Sequence, residues 1–393
     1  MKKILQVVCG YFPRIGGIEQ VARDISDALK GEQYEMKVIC FNETAEAEGM
    51  STKRNENTRD TVDGVEIIRC GCIAKIASQL ISLSYMSELK KVMNSYNPDI
   101  IILHYPNPFL TQFLLSYKKR PFKLVVYWHL DIIKQKILGK LFHFQNIKLL
   151  DRADVVVPTS PNYIDGSKYL SMYRDKCTVI PNTINPKHTV VNEKTAEKIS
   201  EIKSVNEGKT ICFALGRHVP YKGMGYLVKA AKKLDDTFKI YIGGSGPLTD
   251  ELKEEAKDCT NIEFLGRVSD DDLMAYYNAC DIFCFPSITK NEAFGIALAE
   301  GMYFGNPAVT FTIPGSGVNY VSLNGVTGIE CPNGDVDAYA EALKKLAADK
   351  ELCEEYGRNA KKRIEDNFMF DCFRRNLLEL LNELAGEGQY DNE

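Results

Sequence analysis

The chain has 393 residues, of which 45% are hydrophobic and 26% are charged, and its formal net charge is −4. That length is too great for one typical core and suits two α/β domains. No stretch approaches the roughly 20 apolar residues that a membrane span needs, and the 12 cysteines lack zinc-site spacing. These features exclude an integral membrane protein and a cysteine-based metal or disulfide scaffold.

The first half of the chain alternates short apolar runs with helical patterns. The apolar runs predict buried strands at 4–9, 36–41, 100–104, 124–128 and 155–158. Between them, 18–30 and 84–96 have the apolar periodicity of helices. This alternation is typical of a parallel, doubly wound sheet.

A polar segment at 185–209 predicts a connection between domains together with a helix. The pattern then restarts, with strands predicted at 210–215, 239–243, 262–265, 282–286 and 307–310, and helices at 225–234, 248–257, 270–279, 295–303 and 336–349. We therefore expect a Rossmann-like domain at 1–185 and another at 186–370. An amphipathic helix at 371–384 begins a last segment, 371–393, and we expect it to pack back on the first domain.

Two glutamates, Glu292 and Glu300, flank an apolar stretch that predicts a helix. Eight residues rise about 12 Å along a helix, which would span the hexose and ribose of a sugar nucleotide. The backbone N–H groups of Ala293, Phe294 and Gly295 would then point at the phosphates, as helix N-termini do. The alternative is a first-turn glutamate and a solvated one, but an unpaired charge is costly in a helix as apolar as that of Glu300.

Arg217 and Lys222 lie on one loop directly after the predicted strand 210–215. Arginine as a fork and lysine as a compact charge together suit a diphosphate. They can also stabilise a departing nucleotide without a metal. The alternative is that these residues belong to a basic surface loop. The glutamate pair at the same edge of the sheet makes a binding role the better interpretation.

Glycines and a histidine follow other predicted strands. Gly16 and Gly17 open the first helix, where paired glycines allow a phosphate to approach the backbone, although glycine turns are common. Gly244 is interpreted equally as a structural turn and as a ligand contact. His129 follows the strand 124–128 at an edge where ligand-binding residues occur, the alternative being a histidine satisfied at a strand end.

The acidic run at 269–272 resembles a metal-binding cluster at first sight. We interpret Ser269 instead as a helix N-cap and the three aspartates after it as first-turn acids. No other group of residues has metal-ligand spacing, so the sequence predicts no metal.

Taken together, these residues make the chain resemble the retaining glycosyltransferases of family 4. That family has the α/β GT-B fold, two Rossmann-like parallel-sheet domains facing an interdomain cleft. The resemblance covers nearly the whole chain and is strongest in NEAFGIALAEGMYFGNPAV, GRHVPYKG, GGSGPL and LGRVSDDDLMAYYNACDIFCFPS, with GGIEQVARDISDAL and YWHLDIIKQK in the first half. The stretch WHLDIIKQK looks like a branch of bacterial mannosyltransferases for O-antigen and exopolysaccharide assembly. In PNTIN, Thr183 stands where the family usually has glycine.

The resemblance implies an acceptor domain at 1–185, a nucleotide-sugar donor domain at 186–370, and a role for each matching residue. The residues expected to be catalytic are His129, near the sugar and the acceptor, Arg217 and Lys222, on the donor diphosphate, and Glu292, on the transferred sugar. The residues expected to bind the donor are Gly16, Gly17, Gly244, Arg267, Ala293, Phe294, Gly295 and Glu300, the last through the ribose.

The implied reaction is a front-face displacement that retains the anomeric configuration, with the leaving phosphate taking the acceptor's proton. No cofactor is expected, since the nucleotide-diphosphate sugar is a substrate. The donor that the resemblance favours is GDP-mannose, and a UDP-linked glucose, galactose or N-acetylglucosamine is the alternative. The expected acceptor is a lipid-linked glycan or polysaccharide, and no nucleic-acid partner is expected.

A basic segment at 117–148 predicts a membrane-facing surface. It carries eight basic residues and one acid, Asp131, with apolar and aromatic side chains among them. The basic residues are Lys118, Lys119, Arg120, Lys123, Lys134, Lys136, Lys140 and Lys148. This composition favours a cytoplasmic enzyme docked on the anionic inner face of the cell membrane. A solvated basic face is the alternative.

Three alternative functions can be compared with the features of the sequence. A sugar-nucleotide epimerase of the same fold needs no acceptor groove or membrane-facing patch. A nucleotide-sugar binding or scaffold protein would not need the full set of charged residues. A Rossmann dehydrogenase would need G-x-G-x-x-G after the first strand, which Gly16-Gly17-Ile18 does not supply.

Overall fold

The computed structural model describes residues 1–14, 16–42, 55–76, 79–117, 122–131, 139–184 and 191–386. The chain divides into two compact units. The first comprises Met1–Thr159, Ser167–Pro181 and Phe370–Glu393, and the second comprises Ser160–Gly166 and Asn182–Met369.

The described part of the first unit contains a seven-stranded sheet and a small two-stranded ribbon. Its strands are β1 (Lys2–Val7), β2 (Tyr34–Asn42), β3 (Thr58–Val62), β4 (Val65–Gly71), β5 (Ala74–Ile76), β6 (Gln79–Ile81), β7 (Ile100–Tyr105), β8 (Lys123–Trp128) and β9 (Val155–Pro158). The sheet order is β3-β4-β2-β1-β7-β8-β9, while β5 and β6 form the ribbon. All neighbours in the sheet are parallel except β3 and β4. The five predicted strands of this half and its parallel sheet are confirmed.

Helices cover this sheet and complete its core. They are α1 (Gly17–Ala28), α2 (Tyr85–Ser95), α3 (Pro108–Ser116), α4 (Gly139–Arg152) and, from the end of the chain, α14 (Phe370–Ala385). α3 starts where Asn107 accepts a hydrogen bond from the Leu110 amide (3.2 Å), with proline at the first helical position. Leu377 and Leu381 of α14 are fully buried in one cluster with Ile25 of α1, so α14 packs within the first unit.

The hairpin of β3 and β4 was not predicted. Its strands are joined by Asp63 and Gly64, both with positive φ (51° and 89°), as a two-residue hairpin turn requires. An Asp-Gly pair between two short strands is a recognisable hairpin signal. The β3 side chains alternate between exposed and partly buried, so the hydrophobic run that identified the other strands is missing here.

The second unit contains a six-stranded sheet in its described residues. The strands are β10 (Thr210–Leu215), β11 (Phe238–Gly243), β12 (Ile262–Gly266), β13 (Ile282–Phe285), β14 (Ala308–Phe311) and β15 (Gly328–Cys331), in the order β12-β11-β10-β13-β14-β15. Every neighbouring pair is parallel. In chain order this is 3-2-1-4-5-6, the arrangement of doubly wound nucleotide-binding sheets.

The helices of the second unit confirm most of the predicted pattern. They are α5 (Pro161–Gly166), α6 (Glu193–Val205), α7 (Met224–Ala231), α8 (Thr249–Glu255), α9 (Asp270–Ala279), α10 (Ile296–Tyr303), α11 (Val318–Val321), α12 (Val336–Ala348) and α13 (Lys350–Asn367). The helix expected in the polar connection is α6, and Asn192 caps it by accepting from the Thr195 amide (2.9 Å). α5, α11, α13 and β15 were not predicted. Throughout the part of the chain described, no helix is long and apolar enough to cross a bilayer.

Thr183, which replaces the family's usual glycine, joins the start of the second unit to the end of α13. Its hydroxyl donates to the carbonyl of Phe368 (3.1 Å), and the amide of Ile184 donates to the same carbonyl (2.9 Å). The Thr183 side chain is buried. A hydroxyl at this position therefore makes a contact that glycine cannot make.

Candidate active site

The second sheet has a topological switch point between β10 and β13. Successive strands run away from β10 on one side and from β13 on the other, so the loops that leave their carboxyl ends diverge. Ligands of doubly wound sheets bind in the crevice that such a divergence opens. The loop after β10 carries Arg217 and Lys222, and the loop after β13 leads to Glu292. Three of the predicted residues thus lie on the two loops that flank the switch point.

Gly223 allows these two loops to touch. It has φ = 66°, and a Cβ atom there would overlap the backbone carbonyl of Pro286. Beside it, the amide of Ile288 donates to the carbonyl of Tyr221 (3.0 Å). The close approach positions Lys222, which ends a short 3₁₀ turn at Pro220–Lys222, against the loop after β13.

Lys222 and Glu292 form an ion pair across the switch point. Their side chains are only 14% and 12% exposed. Ser287 donates a hydrogen bond to the Glu292 carboxylate (3.2 Å), and Ser316 donates to the Glu292 backbone carbonyl. The carboxylate is therefore held by one cation and one hydroxyl, and the ammonium is held where the two loops meet.

Arg217 and Arg267 are the other predicted cations of this unit. Arg217 is exposed on the loop after β10, and Arg267 is exposed directly after β12. Neither forms an ion pair with another described residue. Both follow a strand at its carboxyl end, as the sequence predicts, and both guanidinium groups are accessible to an anion.

Gly244 has a structural role at the same sheet edge. Its φ is 105°, and a Cβ atom there would overlap the backbone carbonyl of Gly216, so only glycine lets the loops after β10 and β11 meet. The Gly244 amide donates to the carbonyl of Gly266 (2.7 Å). This establishes the turn, and the contact with a ligand stays a prediction.

The segment between the two glutamates is only partly helical. Ala293, Phe294 and Gly295 precede α10, which begins at Ile296. Phe294 and Gly295 are buried, while Ala293 is partly buried. The 12 Å helical rise expected between the glutamates does not apply, because Glu292 lies on the loop before the helix.

Glu300 lies within α10 and accepts a hydrogen bond from the Tyr277 hydroxyl (2.8 Å). Burial raises the pKa of Glu300 to about 7, an effect that the Tyr277 hydrogen bond opposes and the charge of Asp270 reinforces. As the sequence indicates, Glu300 has no ion-pair partner among the described residues of its apolar surroundings. It is stabilised as a neutral or hydrogen-bonded group rather than as half of an ion pair.

In the first unit, Gly16 and Gly17 lie where predicted, at the start of α1 beyond the end of β1. Gly17 is exposed, and Gly16 is partly buried beside Glu19, which pairs with Arg14 (2.9 Å). The sheet order β4-β2-β1-β7-β8-β9 is again 3-2-1-4-5-6, with its switch point between β1 and β7. Gly16 and Gly17 follow β1 and are therefore at that switch point.

His129 follows β8 and is buried. Its Nε2 atom lies 2.9 Å from Nδ1 of His104, and Nε2 of His104 lies 2.9 Å from Oε1 of Gln6. Burial lowers the pKa of His129 to about 3, so its imidazole is neutral at physiological pH. His129 is thus a hydrogen-bonded histidine at a strand end, and its contact with a ligand stays a prediction.

Sequence reasoning missed the partners of these residues. Gln6, His104, Tyr277, Ser287 and Ser316 were not predicted. The last four each contact a predicted residue, and Gln6 contacts His104. One signal was available: Gln6 and His104 are polar residues within otherwise apolar buried strands, where a polar group needs a partner.

The acidic run at the start of α9 is a helix cap, as predicted. The Ser269 hydroxyl accepts from the Asp272 amide (3.2 Å), and three aspartates occupy the first helical turn. Across the residues that the structure describes, no group of three His, Cys, Asp or Glu side chains is arranged to hold a metal ion.

Two doubly wound units, with a paired cation and carboxylate at the switch point of the second, are typical of α/β proteins that bind phosphorylated or nucleotide ligands. Family models match both halves: "Glycosyltransferase Family 4" over residues 15–188 and "Glycosyl transferases group 1" over residues 195–363. The chain is 30% identical to O-antigen chain mannosyltransferase C of Escherichia coli, over 94% of this chain and 95% of that protein. It is 33% identical to D-rhamnosyltransferase WbpZ of Pseudomonas aeruginosa, over 75% of each.

Solved structures share the fold at lower identity. Sucrose-phosphate synthase from Thermosynechococcus elongatus has a TM-score of 0.78 at 17% identity, covering 98% of this chain and all of that one. HepE of Anabaena, in complex with UDP and glucose, has a TM-score of 0.76 at 16% identity, covering 97% of this chain and all of its own. The chain belongs to glycosyltransferase family 4 and has the GT-B fold, as its motifs indicate.

We expect the ion pair to be strongly coupled. Lys222→Met leaves a mostly buried carboxylate without its cation, and Glu292→Gln leaves the ammonium without its anion, so each should lower the free energy of unfolding by about 3 kcal/mol. The loss of unfolding free energy in the double variant should be smaller than the sum of the two single losses by at least about 1 kcal/mol. Urea denaturation of the four proteins measures this cycle.

The exposed pair of Lys233 and Asp337 is a matched control from the same unit. Its cycle should give a coupling below about 1 kcal/mol, because solvent screens it. Equal coupling in the two cycles would contradict a special role for the Lys222–Glu292 pair.

Glu300 should make stability depend on pH in a defined direction. Its pKa is about 7 in the folded protein and about 4.3 in an unfolded chain, so the folded state holds the proton more tightly. Its stabilising contribution is complete below about pH 4 and is lost as the pH rises through 7. Between pH 5 and pH 8, the wild type should lose roughly 2 kcal/mol relative to Glu300→Gln, which does not titrate. Parallel denaturation curves at both pH values test this, and a constant difference would refute it.

Proposed function

We propose that this glycosyltransferase is a retaining, metal-independent mannosyltransferase. It uses GDP-mannose and transfers mannose to a lipid-linked or polysaccharide acceptor of the O-antigen type. The observation that carries the proposal is the Lys222–Glu292 pair at the switch point of the second sheet, in a chain 30% identical over nearly its full length to an O-antigen mannosyltransferase.

The proposed chemistry follows from the charges at that switch point. Lys222 and the accessible Arg217 supply fixed positive charge for a diphosphate, which supports departure of the nucleotide without a metal. Glu292, already held by Ser287, would turn its remaining acceptor capacity to sugar hydroxyls. Glu300 would accept from the ribose hydroxyls in the same way. The leaving phosphate would take the acceptor's proton, so the protein needs no dedicated base.

The proposed function and its main alternative differ in the sugar nucleotide that serves as donor. One curated relative is named a D-rhamnosyltransferase, and D-rhamnose is mannose without its 6-hydroxyl, so mannosyl and 6-deoxymannosyl donors have the same ring stereochemistry. HepE has been solved with UDP-glucose, and it shares the fold with this chain at 16% identity. A manno-configured donor is therefore better supported than a UDP-linked one.

A donor panel with and without chelator tests the function. We expect GDP-mannose to raise the melting temperature and UDP-glucose, UDP-galactose and UDP-N-acetylglucosamine to leave it nearly unchanged, because a ligand stabilises the state that binds it. Turnover of GDP-mannose should survive EDTA, and NMR of the product should show an α-mannoside. A rise in melting temperature with a UDP-sugar instead would refute GDP-mannose as the donor and indicate that UDP-sugar. Loss of turnover in EDTA with recovery in manganese would refute metal independence.

We further propose that the first unit docks on an anionic membrane surface. Lys118, Lys119, Arg120, Lys134 and Lys136 of the basic segment lie outside the described residues, as does the side chain of Lys140.

Described residues of the first unit support the docking. α2, α3 and α4 line an apolar cavity of about 580 Å³, and its described lining residues include one cation, Lys148, and no acid. Phe109 and Phe144, at its edge, are 57% and 65% exposed. Exposed aromatic rings beside lysines are typical of surfaces that enter the headgroup layer.

Co-sedimentation with vesicles tests this docking. Binding should require anionic lipid and fall with added salt, since each lysine near such a surface contributes about 1 kcal/mol, screened beyond the Debye length. Phe109→Ser/Phe144→Ser and, separately, Lys134→Glu/Lys136→Glu/Lys140→Glu should each release the protein. The charge-matched control is Lys232→Glu/Lys253→Glu/Lys345→Glu in the second unit, which should stay bound. Equal binding to neutral and anionic vesicles would refute the proposal.

A further inference from the structure

Three polar side chains form a continuous hydrogen-bonded string across neighbouring strands of the first sheet. Gln6 is on β1, His104 on β7 and His129 just after β8. Their side chains are 0%, 1% and 6% exposed. Because water does not reach most of this string, each donor must face an acceptor, and the hydrogen positions can be deduced from one fixed end.

The fixed end is the amide of Gln6. The end of that amide facing α1 lies 3.0 Å from the carbonyl oxygen of Ala22 and 2.9 Å from the hydroxyl of Ser26. A carbonyl oxygen only accepts, so this end of the amide must be the NH₂ group. The Ser26 hydroxyl itself donates to the Ala22 carbonyl (3.0 Å) and therefore accepts from Gln6. The other end of the amide, which faces His104, is the oxygen.

That oxygen fixes the tautomer of His104. Oε1 of Gln6 can only accept, so Nε2 of His104 must carry a proton. Burial holds the pKa of His104 well below its ordinary range, so the ring is neutral and its Nδ1 atom is an acceptor. Nδ1 of His104 faces Nε2 of His129, which must therefore be the donor. In the neutral ring of His129, the proton is on Nε2 and the lone pair is on Nδ1.

Nδ1 of His129 makes no hydrogen bond with another described residue, and this atom is not fully buried. It is therefore accessible. Two neighbours of His129 along the chain have contacts of their own. Asp131 accepts from Trp128 (3.0 Å) and from Ser167 (2.9 Å), and the ring of Tyr127 stacks on that of His129.

We propose that Gln6 and His104 are positioning residues that hold His129 in the Nε2–H tautomer, so that Nδ1 is presented as a hydrogen-bond acceptor to a hydroxyl group of the sugar substrate. The string therefore makes the site selective: Nδ1 of His129 only accepts hydrogen bonds, so it binds a hydroxyl group and repels a carbonyl or phosphate oxygen. The substrate role rests on the proposed glycosyl transfer, whereas the tautomer is a property of the free protein.

The tautomer can be measured without any substrate. The chain has five histidines, and ¹⁵N-histidine labelling with two-bond ¹H–¹⁵N correlation spectra distinguishes the two nitrogens of each. In the wild type, His129 should show a protonated Nε2 and an unprotonated Nδ1 from pH 6 to pH 8. Its signals are identified by their loss in His129→Gln. A protonated Nδ1, or an imidazolium in that range, would overturn the proposal.

Two substitutions at position 104 separate positioning from packing. His104→Phe keeps an aromatic ring but removes the acceptor, so His129 should populate both tautomers and kcat/KM should fall about tenfold, as one hydrogen bond is lost. His104→Gln restores one donor and one acceptor, so the Nε2–H tautomer should return together with most of the activity. Gln6→Met should behave like His104→Phe.

The matched control is Asn146→Leu, which removes a buried hydrogen bond from Tyr105 elsewhere in the same unit. It should lower the melting temperature without changing the tautomer of His129. If His104→Phe also left the tautomer unchanged, His104 would be only a packing residue and the proposal would fail. If the tautomers behaved as expected while GDP-mannose was not turned over, the proposed function would fail and the string would stand.

Discussion

The candidate site depends on how closely three backbone loops approach one another at the edge of the second sheet. Gly223 meets the carbonyl of Pro286 and Gly244 meets the carbonyl of Gly216, and a side chain at either glycine would separate the loops. Strand order makes these loops neighbours, but only the glycines let them touch. The Lys222–Glu292 pair follows from that contact, because lysine and glutamate on separated loops would each be solvated.

The two glutamates flanking the start of α10 show how position sets the chemistry of a carboxyl group. Glu292 lies on a loop that packs against a cation and a hydroxyl. Glu300, within the helix, has a phenol as its partner, and burial brings its pKa to about 7. Two identical side chains eight residues apart are thus a member of an ion pair and a weakly acidic hydrogen-bonding group. The difference arises from the loop and helix on which they lie.

Apolar runs predicted the sheets well because a strand buried on both faces is apolar along its whole length. The same logic explains the misses. β3 alternates between exposed and partly buried side chains at the sheet edge, and the apolar residues of β4 are interrupted by Glu66 and Arg69. α13 is dominated by charged residues. At the site, motifs predicted Lys222, Glu292 and Glu300, but not that the first two are paired. That pairing depends on the backbone contact at Gly223, which sequence spacing does not reveal.

Gln6 and His104 were missed for a related reason. Each is a single polar residue in a strand that is otherwise apolar, and such a strand reads as core. A buried amide or imidazole is costly unless each of its polar atoms has a partner. The partners of these two lie on other strands and on α1, at sequence separations of 16 to 98 residues. A polar side chain in a buried strand therefore needs a polar partner elsewhere, and hydrogen bonds join Gln6 to His104 and His104 to His129.

The polar groups of the two units divide by charge, and the division suits glycosyl transfer. Of the described groups with fixed positive charge at the proposed donor site, Lys222 and Arg217 are on the loop after β10, and Arg267 follows β12. His129 is neutral because burial lowers its pKa, and Glu300 is half neutral near pH 7 because burial raises its pKa. Sugars carry no charge, and neutral groups with assigned donors and acceptors recognise hydroxyls without the desolvation penalty of an unpaired ion. Fixed positive charge is thus concentrated on loops at the carboxyl edge of the second sheet, whereas burial favours the neutral forms of His129 and Glu300.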